Sequence, residues 1–173
     1  MEILELLVYP DQRLRQTTTE INIFDQNLKS LVDNMFKSMY THKGVGLAAP
    51  QIGKSLRLFV VDVSEERNQP KVFINPQIIE KSNNNNEYEE GCLSVPEFSA
   101  KIKRPKTIVV EAYDVEGNQF TLQADDLLAT CIQHEYDHLE GILFIDYLSK
   151  LKRTRYDQKL AKQKHEHSQA VAS

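Results

Sequence analysis

Residues 125–141, DDLLATCIQHEYDHLEG, decide the fold, because their pattern predicts one buried helix. One stripe of that helix consists of Leu127, Thr130, Cys131, His134 and His138, and a second, apolar stripe consists of Leu128, Ile132 and Leu139. Such a helix is buried on two sides, so its histidines should point inward. Gly141 is a residue typical of the position just beyond a helix end. The segment therefore predicts a central helix around which the other elements pack.

The same segment contains the spacing His-Glu-x-x-His. His134 and His138 lie four residues apart, which is about 6 Å along a helix axis, so both imidazoles can turn toward one ion. Glu135 lies one step round the helix, where it can reach a water molecule at the ion without binding the ion. The alternative is a helix with two hydrogen-bonded histidines. The spacing and its apolar flanks favour a metal site, with Glu135 as the acid/base.

A catalytic ion usually takes three protein ligands and keeps one open position. A zinc peptidase would take its third ligand from downstream. Upstream, Cys92 lies in the tight segment EGCLSVP, between Gly91 and Pro96, and is the better candidate. Cys131, one turn before His134, is expected to be a small wall residue. The downstream candidates for the third ligand are Glu140, Asp146, Asp157, His165, Glu166 and His167.

Residues 44–53, GVGLAAPQIG, form a loop rich in small side chains. Glycines and alanines at this density let the backbone approach a ligand closely. No Gly-Lys-Ser/Thr follows, so this is not a phosphate-binding loop. A plain connection between a helix and a strand explains the segment equally well. Gln51 is the residue of interest, because its uncharged amide can donate to an oxyanion.

The remaining pattern predicts an α+β fold, with antiparallel sheets packed around the central helix and a helix at the C-terminus. Asp25 is expected to cap a helix over residues 26–42. The segment 72–79 is interrupted by Asn75-Pro76, so it should be an edge strand or a bent one. The other predicted elements are strands at 56–63, 102–103, 107–113 and 119–122, turns at 83–86 and 116–118, and a helix at 148–165.

Composition indicates one ordinary globular domain. The 173 residues are 40% hydrophobic and 27% charged, and no run approaches the roughly 20 apolar residues of a membrane span. The first ten residues lack the basic region of a secretory signal, and two cysteines do not make a disulfide framework. We therefore expect a soluble cytoplasmic protein without membrane association. Its net charge of -4 gives the body of the protein no reason to bind DNA directly.

Charge is unevenly distributed along the chain. Residues 150–173 contain seven basic and two acidic side chains, a net +5, which leaves -9 on the other 149 residues. A basic helix on an acidic body suggests an anionic partner, although a solvated helix has the same composition. We expect residues 1–150 to form the catalytic metallohydrolase domain and residues 151–173 to be a basic helical extension of it.

Taken together, GVGLAAPQIG, EGCLSVP and QHEYDHLEG resemble the three motifs of the peptide deformylase family, in the same order. The resemblance implies an α+β fold and hydrolysis of the N-formyl group from the N-terminal formyl-methionine of newly made polypeptides, with release of formate. It implies that Cys92, His134 and His138 hold the metal, that Glu135 is the acid/base, and that Gln51 and the backbone N–H of Leu93 stabilise the oxyanion. The residues implied to line the substrate site are Val45, Gly46, Glu90, Gly91, Leu127, Thr130 and Cys131.

The resemblance also bears on the cofactor and the partners. A thiolate with two neutral imidazoles suits Zn(II), Fe(II), Co(II) or Ni(II), and the family favours Fe(II) with zinc as a common occupant. Some members use a C-terminal helix to dock on the ribosome. Ser99 stands where a basic residue is expected, and Tyr88 and Thr130 stand where larger aliphatic side chains are expected. The competing hypotheses are a zinc peptidase and a non-catalytic binding domain stabilised by metal.

Overall fold

The structure is a computed structural model that describes residues 1–172. Within these residues it contains seven strands, three α helices and three short 3₁₀ helices, which confirms the α+β prediction. The 3₁₀ helices are Gln12–Arg15, Ala49–Ile52 and Phe144–Tyr147. The strands are β1 Gly46–Ala48, β2 Leu58–Val61, β3 Lys71–Lys81, β4 Asn85–Cys92, β5 Val95–Pro105, β6 Thr107–Tyr113 and β7 Gln119–Asp125. The α helices are α1 Gln26–Thr41, α2 Asp126–Leu139 and α3 Lys150–Ala172.

Helix α1 begins where its sequence predicts. The side chain of Asp25 accepts a hydrogen bond from the backbone N–H of Leu28 at 3.0 Å, which satisfies one of the free donors of the first turn. Leu28, Met35 and Met39 are buried on one face and pack against β1 and β2. The 3.6-residue periodicity therefore places α1 correctly, to within one residue of its end.

A five-stranded antiparallel sheet has the order β1-β2-β3-β6-β7. β3 is the middle strand, so the alternative of an edge strand was wrong and that of a bent strand is confirmed. The register shifts between Ile74 and Gln77, and Asn75 has φ 49°. The Asn75 side chain bonds both the N–H and the carbonyl of Ile21 at 2.8 Å. Pro76, which lacks an N–H, is thus accommodated in a bulge inside the sheet.

A separate antiparallel hairpin consists of β4 and β5. The sequence predicted no strand at β4, which begins at Asn85 inside the predicted polar turn. β5 is longer than predicted, because it begins at Val95 rather than at residue 102. The pairing runs from Asn85 opposite Pro105 to Gly91 opposite Ser99, and then shifts so that Cys92 pairs with Val95. The shift places Cys92 at the tight end of the hairpin.

Helix α2 lies between the five-stranded sheet and the hairpin, in contact with β1, β2 and β7 on one side and with β4 and β5 on the other. Ala129, Ile132 and Leu139 are buried in a core with Phe59 and Phe73. The prediction of a central helix buried on two sides is confirmed.

Helix α3 is longer than the predicted segment 148–165. It is anchored near its start by Tyr156, which is buried and lies 4.6 Å from Phe98 of β5 between ring centroids. Tyr9 also packs against Tyr156, with ring centroids 6.1 Å apart. Among residues 1–172, no helix is both long enough and apolar enough to cross a membrane.

Candidate active site

Helix α2 and the hairpin bring together three side chains that are able to hold a metal ion. The ligand atoms of Cys92, His134 and His138 all lie within 4.8 Å of one another, and in the described part of the chain no other trio of this kind is found. Cys92 Sγ is 3.4 Å from His138 Nε2. Around a tetrahedral ion, a sulphur at about 2.3 Å and a nitrogen at about 2.0 Å would be roughly 3.5 Å apart. The three side chains therefore match the dimensions of a mononuclear site.

His134 is oriented by a carboxylate behind it. Its Nδ1 lies 2.9 Å from Glu90 Oε1, so Nδ1–H donates to the carboxylate and Nε2 is left for an ion. Both oxygens of Glu90 also accept from Arg104, at 2.7 and 3.0 Å, and Arg104 donates to Asp137 at 2.9 Å. Tyr147 completes the group by donating to the same oxygen of Asp137 at 2.7 Å. This network fixes the tautomer and the ring plane of the His134 imidazole.

The charges around these side chains favour a cation. Burial lowers the pKa of His138 well below its ordinary value, so its imidazole is neutral. Burial would also lower the pKa of His134, but hydrogen bonds with Cys92 and Glu90 raise it well above the ordinary value. Burial would raise the pKa of Glu90, yet the bonds from His134 and Arg104 leave it lowered. The carboxylate of Glu90, which helps to hold a proton on His134, would equally stabilise a divalent ion.

Glu135 is buried beside the ligands. Only 4% of its surface is exposed, and Oε2 has no hydrogen-bond partner among the described residues. Burial raises the pKa of this carboxyl to about 7. A carboxyl with a pKa near neutrality is suited to both accepting and returning a proton.

The side chain of Gln51 is oriented toward the three candidate ligands by a hydrogen bond with a nearby backbone N–H. It lies in the 3₁₀ helix Ala49–Ile52, and its Oε1 accepts from the N–H of Ala48 at 2.8 Å. Its Nε2 therefore faces the other way, 3.6 Å from Cys92 Sγ and 3.1 Å from Ser94 Oγ. Leu93 follows Cys92 in the chain and lines the same cavity. The sequence alone did not decide whether loop 44–53 has a functional role; in the structure this loop lines the same cavity.

A cavity of about 630 Å³ opens in front of these groups. Val45 and Leu127 are both exposed and give the cavity apolar walls. Ser99 donates to Glu89 at 3.1 Å in the same cavity, which Tyr88 also lines. All seven residues predicted to line a substrate site lie in its wall, namely Val45, Gly46, Glu90, Gly91, Leu127, Thr130 and Cys131.

Sequence reasoning missed Arg104, which holds Glu90 in place. In KIKRP it looks like one more charge on an exposed strand. Strand periodicity contained the signal: Ile102 and Arg104 share one face of β5, and Ile102 is apolar and buried. An arginine on a buried face requires an acidic partner, and Glu90 of the neighbouring strand provides it.

An α+β fold with an HExxH helix, a Cys/His/His group and a buried carboxylate beside it defines a class of metal-dependent hydrolases. Comparison with known proteins narrows this class. The family model for polypeptide deformylase matches residues 3–154. The chain belongs to the polypeptide deformylase family, so it is a metal-dependent hydrolase that removes the N-formyl group from nascent polypeptides.

Individual relatives are similar over nearly their whole length. Peptide deformylase 1 of Shewanella oneidensis is 52% identical over 162 residues, which cover 94% of this chain and 96% of the relative. The peptide deformylase of Azotobacter vinelandii is 48% identical, covering 96% and 99%. A crystal structure of a peptide deformylase from Legionella pneumophila superposes with a TM-score of 0.90 at 43% identity, covering 96% and 98%. That of Ehrlichia chaffeensis in complex with actinonin gives 0.90 at 40% identity, covering 94% and 98%.

Proposed function

We propose that Cys92, His134 and His138 hold one divalent ion, and that Glu135 acts as the acid/base in hydrolysis of an N-terminal formamide. The observation that supports this most directly is the buried carboxylate of Glu135 beside the three ligand side chains, at the wall of the cavity. The chemistry that a divalent ion supplies when bound is activation of water and polarisation of a carbonyl.

Glu135 handles the proton in this scheme. It accepts a proton from the attacking water and delivers it to the leaving amine of the peptide, so that formate and a free amino terminus are released. A pKa of about 7 lets the same carboxyl do both near neutral pH.

Gln51 and the backbone N–H of Leu93 act as donors to the oxyanion of the tetrahedral intermediate. The direction of the Gln51 amide supports its part in this role. Its oxygen is already engaged with Ala48, so the NH₂ group is the part that faces the cavity. Because the amide is held in advance, no reorganisation is needed as charge develops.

The cavity is proposed to take the formyl-methionine end of the substrate. Leu127 and Cys131 offer an apolar wall for an unbranched side chain, with Thr130, Val45, Gly46, Glu90 and Gly91 around it. β1 is an edge strand of the five-stranded sheet. An extended peptide could pair with such an edge. Actinonin, present in the Ehrlichia chaffeensis complex, is proposed to bind in this cavity as well.

We propose Fe(II) as the native ion. One thiolate and two imidazoles also accept Zn(II), Co(II) and Ni(II), so the ligand set limits the metal to this series without choosing among them. Metal analysis of protein purified without air, together with activity after reconstitution with each ion, tests the choice. Higher activity with zinc than with iron would overturn it.

Anaerobic hydrolysis of formyl-Met-Ala-Ser by protein loaded with Fe(II) tests the function. We expect release of formate, and a loss of at least about 100-fold in Glu135→Ala with metal content retained. Cys92→Ala should lose the metal. The rival peptidase predicts cleavage of unformylated peptides, and a non-catalytic domain predicts an unaffected Glu135→Ala. Absence of formate from the unaltered protein would refute the proposal.

The basic residues of α3 are proposed to dock the cytoplasmic enzyme on the ribosome, with residues 1–150 as the catalytic domain and 151–173 as its extension. Lys159, Lys162 and Lys164 are exposed, so their charge is available to an anionic partner. Tyr156 and Leu160 belong to the core cluster, so the charge is better removed by substitution than by truncation. Replacing five exposed basic residues by glutamine should weaken ribosome co-sedimentation and leave hydrolysis of a tripeptide unchanged; they are Lys152, Arg155, Lys159, Lys162 and Lys164. Unchanged co-sedimentation would eliminate the docking proposal.

A further inference from the structure

The backbone of Gly44 and Val45 forms part of the cavity wall just before β1 begins. The β1 ladder starts only at Gly46, which pairs with Val61. Gly44 and Val45 therefore lie outside the regular pairing that holds the rest of this segment. Since 43% of the surface of Val45 is exposed, its packing alone does not fix the position of this backbone.

Two polar contacts from the loop after β2 hold the carbonyl groups of this wall, while the N–H of Gly44 donates to the carbonyl of Met39 at 2.9 Å. The N–H of Asp62 donates to the carbonyl of Val45 at 2.8 Å. Arg67 donates one guanidinium N–H to the carbonyl of Gly44 and another to the carbonyl of Asp62, the latter at 2.6 Å. Its guanidinium lies over the ring of Tyr40, 5.1 Å from the centroid. One half-buried cation thus ties the wall to the loop behind it.

The loop is shaped to present Arg67 in this way. The carboxylate of Asp62, 1% exposed, accepts from Ser64 at 2.6 Å, from the N–H of Gln69 at 3.2 Å and from the hydroxyl of Tyr40 at 2.6 Å. Arg67 has φ 56°, a left-handed conformation that non-glycine residues rarely adopt. An uncommon backbone conformation held by buried hydrogen bonds is typical of functional segments.

We propose that Arg67 is a positioning residue of the substrate site, a role that rests on the proposed deformylase function. It acts through the backbone of Gly44 and does not touch the reacting atoms. The metal ligands and Glu135 belong to α2 and β4, and Gly46 has its own ladder partner. Removal of Arg67 therefore loosens the wall that receives the peptide and leaves the chemical groups in place.

Because Arg67 is expected to affect substrate binding and not the chemical step, its removal should change KM more than kcat. In Arg67→Ala the KM for formyl-Met-Ala-Ser should rise about tenfold or more, as expected for loss of a charge-assisted hydrogen bond, while kcat stays within about twofold. Arg67→Lys should recover part of the loss, because one ammonium can reach one of the two carbonyls. Guanidinium ion at low millimolar concentration should lower the KM of Arg67→Ala and should not affect the unaltered protein.

Arg57→Ala is the matched control. Arg57 likewise lies over a tyrosine, 5.2 Å from the centroid of the Tyr136 ring, and pairs with Glu140 at 2.7 Å, away from the cavity. Both variants should lower Tm, but only Arg67→Ala should change KM. Equal KM values in the two variants would overturn the inference. The dissociation constant of actinonin supplies a readout that needs no turnover. If the unaltered protein released no formate, the proposed function would fail. The role of Arg67 in the cavity wall would still be tested, because Arg67→Lys and Arg67→Ala should bind actinonin more weakly.

Discussion

The carboxylate of Glu135 occupies the space that a side chain at position 46 would need. A Cβ on Gly46 would lie 2.5 Å from Glu135 Oε1 and 2.9 Å from its carboxyl carbon. Real Cβ contacts are not this short, so glycine at position 46 is what lets the carboxylate approach β1. The position of Glu135 therefore depends on a residue that contributes no functional group.

Gly46→Ala should displace this carboxylate and reduce formate release by about 100-fold, the usual cost of misplacing a catalytic group by about 1 Å. Metal content should be unchanged, since the atoms nearest to the new methyl group all belong to Glu135. Gly44→Ala is a useful comparison, because its Cβ would meet the flexible tip of Leu93 at 2.8 Å and a side chain can move aside. Wild-type turnover in Gly46→Ala would show that Glu135 can function from another position.

Gln51→Ala should lower kcat by 100-fold or more, because removal of one oxyanion donor typically costs about 3 kcal/mol of transition-state stabilisation. KM should change far less, since the donor matters most when charge develops. Ser94→Ala removes a partner of the amide without removing the amide itself, and a smaller loss is expected. Steady-state kinetics of both variants check this. A Gln51→Ala enzyme affected mainly in KM would assign the amide to substrate binding.

Glu90→Gln should weaken metal binding by about 10- to 100-fold, as is usual when the hydrogen-bond partner of a ligand is lost. It also leaves the buried charge of Arg104 with a weaker partner, so Tm should fall in the metal-free protein too. Competition with a chelator and thermal unfolding measure the two effects. Glu140, an exposed carboxylate paired with Arg57, provides the control, since Glu140→Gln should change neither quantity appreciably.

Acidic pH should destabilise the loop that carries Arg67. Burial would raise the pKa of Asp62, but hydrogen bonds from Ser64, Tyr40 and backbone N–H groups leave it below the ordinary value of 3.8. A depressed folded-state pKa contributes stability that is present above the unfolded-state pKa and is lost as the pH falls through the folded-state pKa.

Asp62→Asn should therefore be less stable than the unaltered protein at pH 6, and the difference should shrink below about pH 4. Denaturant unfolding of the two proteins, both freed of metal with a chelator, measures their free energies of unfolding between pH 6 and pH 2.5. A difference in the free energy of unfolding that stays constant with pH would mean that the carboxylate charge adds nothing to the loop.

Local periodicity was sufficient for the part of the site that lies on one helix. His134, Glu135 and His138 are within five residues of each other, so helix geometry alone relates them. The same holds for α1 and its cap at Asp25. In such segments the residues that interact are also neighbours in the chain.

Contacts between distant segments were harder to predict. Cys92 lies 42 positions before His134, and no local pattern relates the two; the assignment depended on the resemblance of three motifs. Arg104 and Arg67 were missed, because each acts through a partner far along the chain, Glu90 or the carbonyl of Gly44. β3 was not recognised as the middle strand, because Pro76 normally disfavours that position and the bulge at Asn75 compensates.

The division of the ligands between a helix and a two-stranded hairpin has a thermodynamic consequence. A lone hairpin is only marginally stable, so attachment of β4 and β5 to α2 and capture of the ion are linked equilibria. If Cys92 is a ligand as proposed, separation of the hairpin from α2 should release the metal, and a chelator strong enough to take the metal should weaken the attachment. Oxidation of Cys92 should both weaken metal binding and weaken the attachment of the hairpin to α2. The stability of the enzyme would then depend, through one sulphur atom, on the redox state of its surroundings.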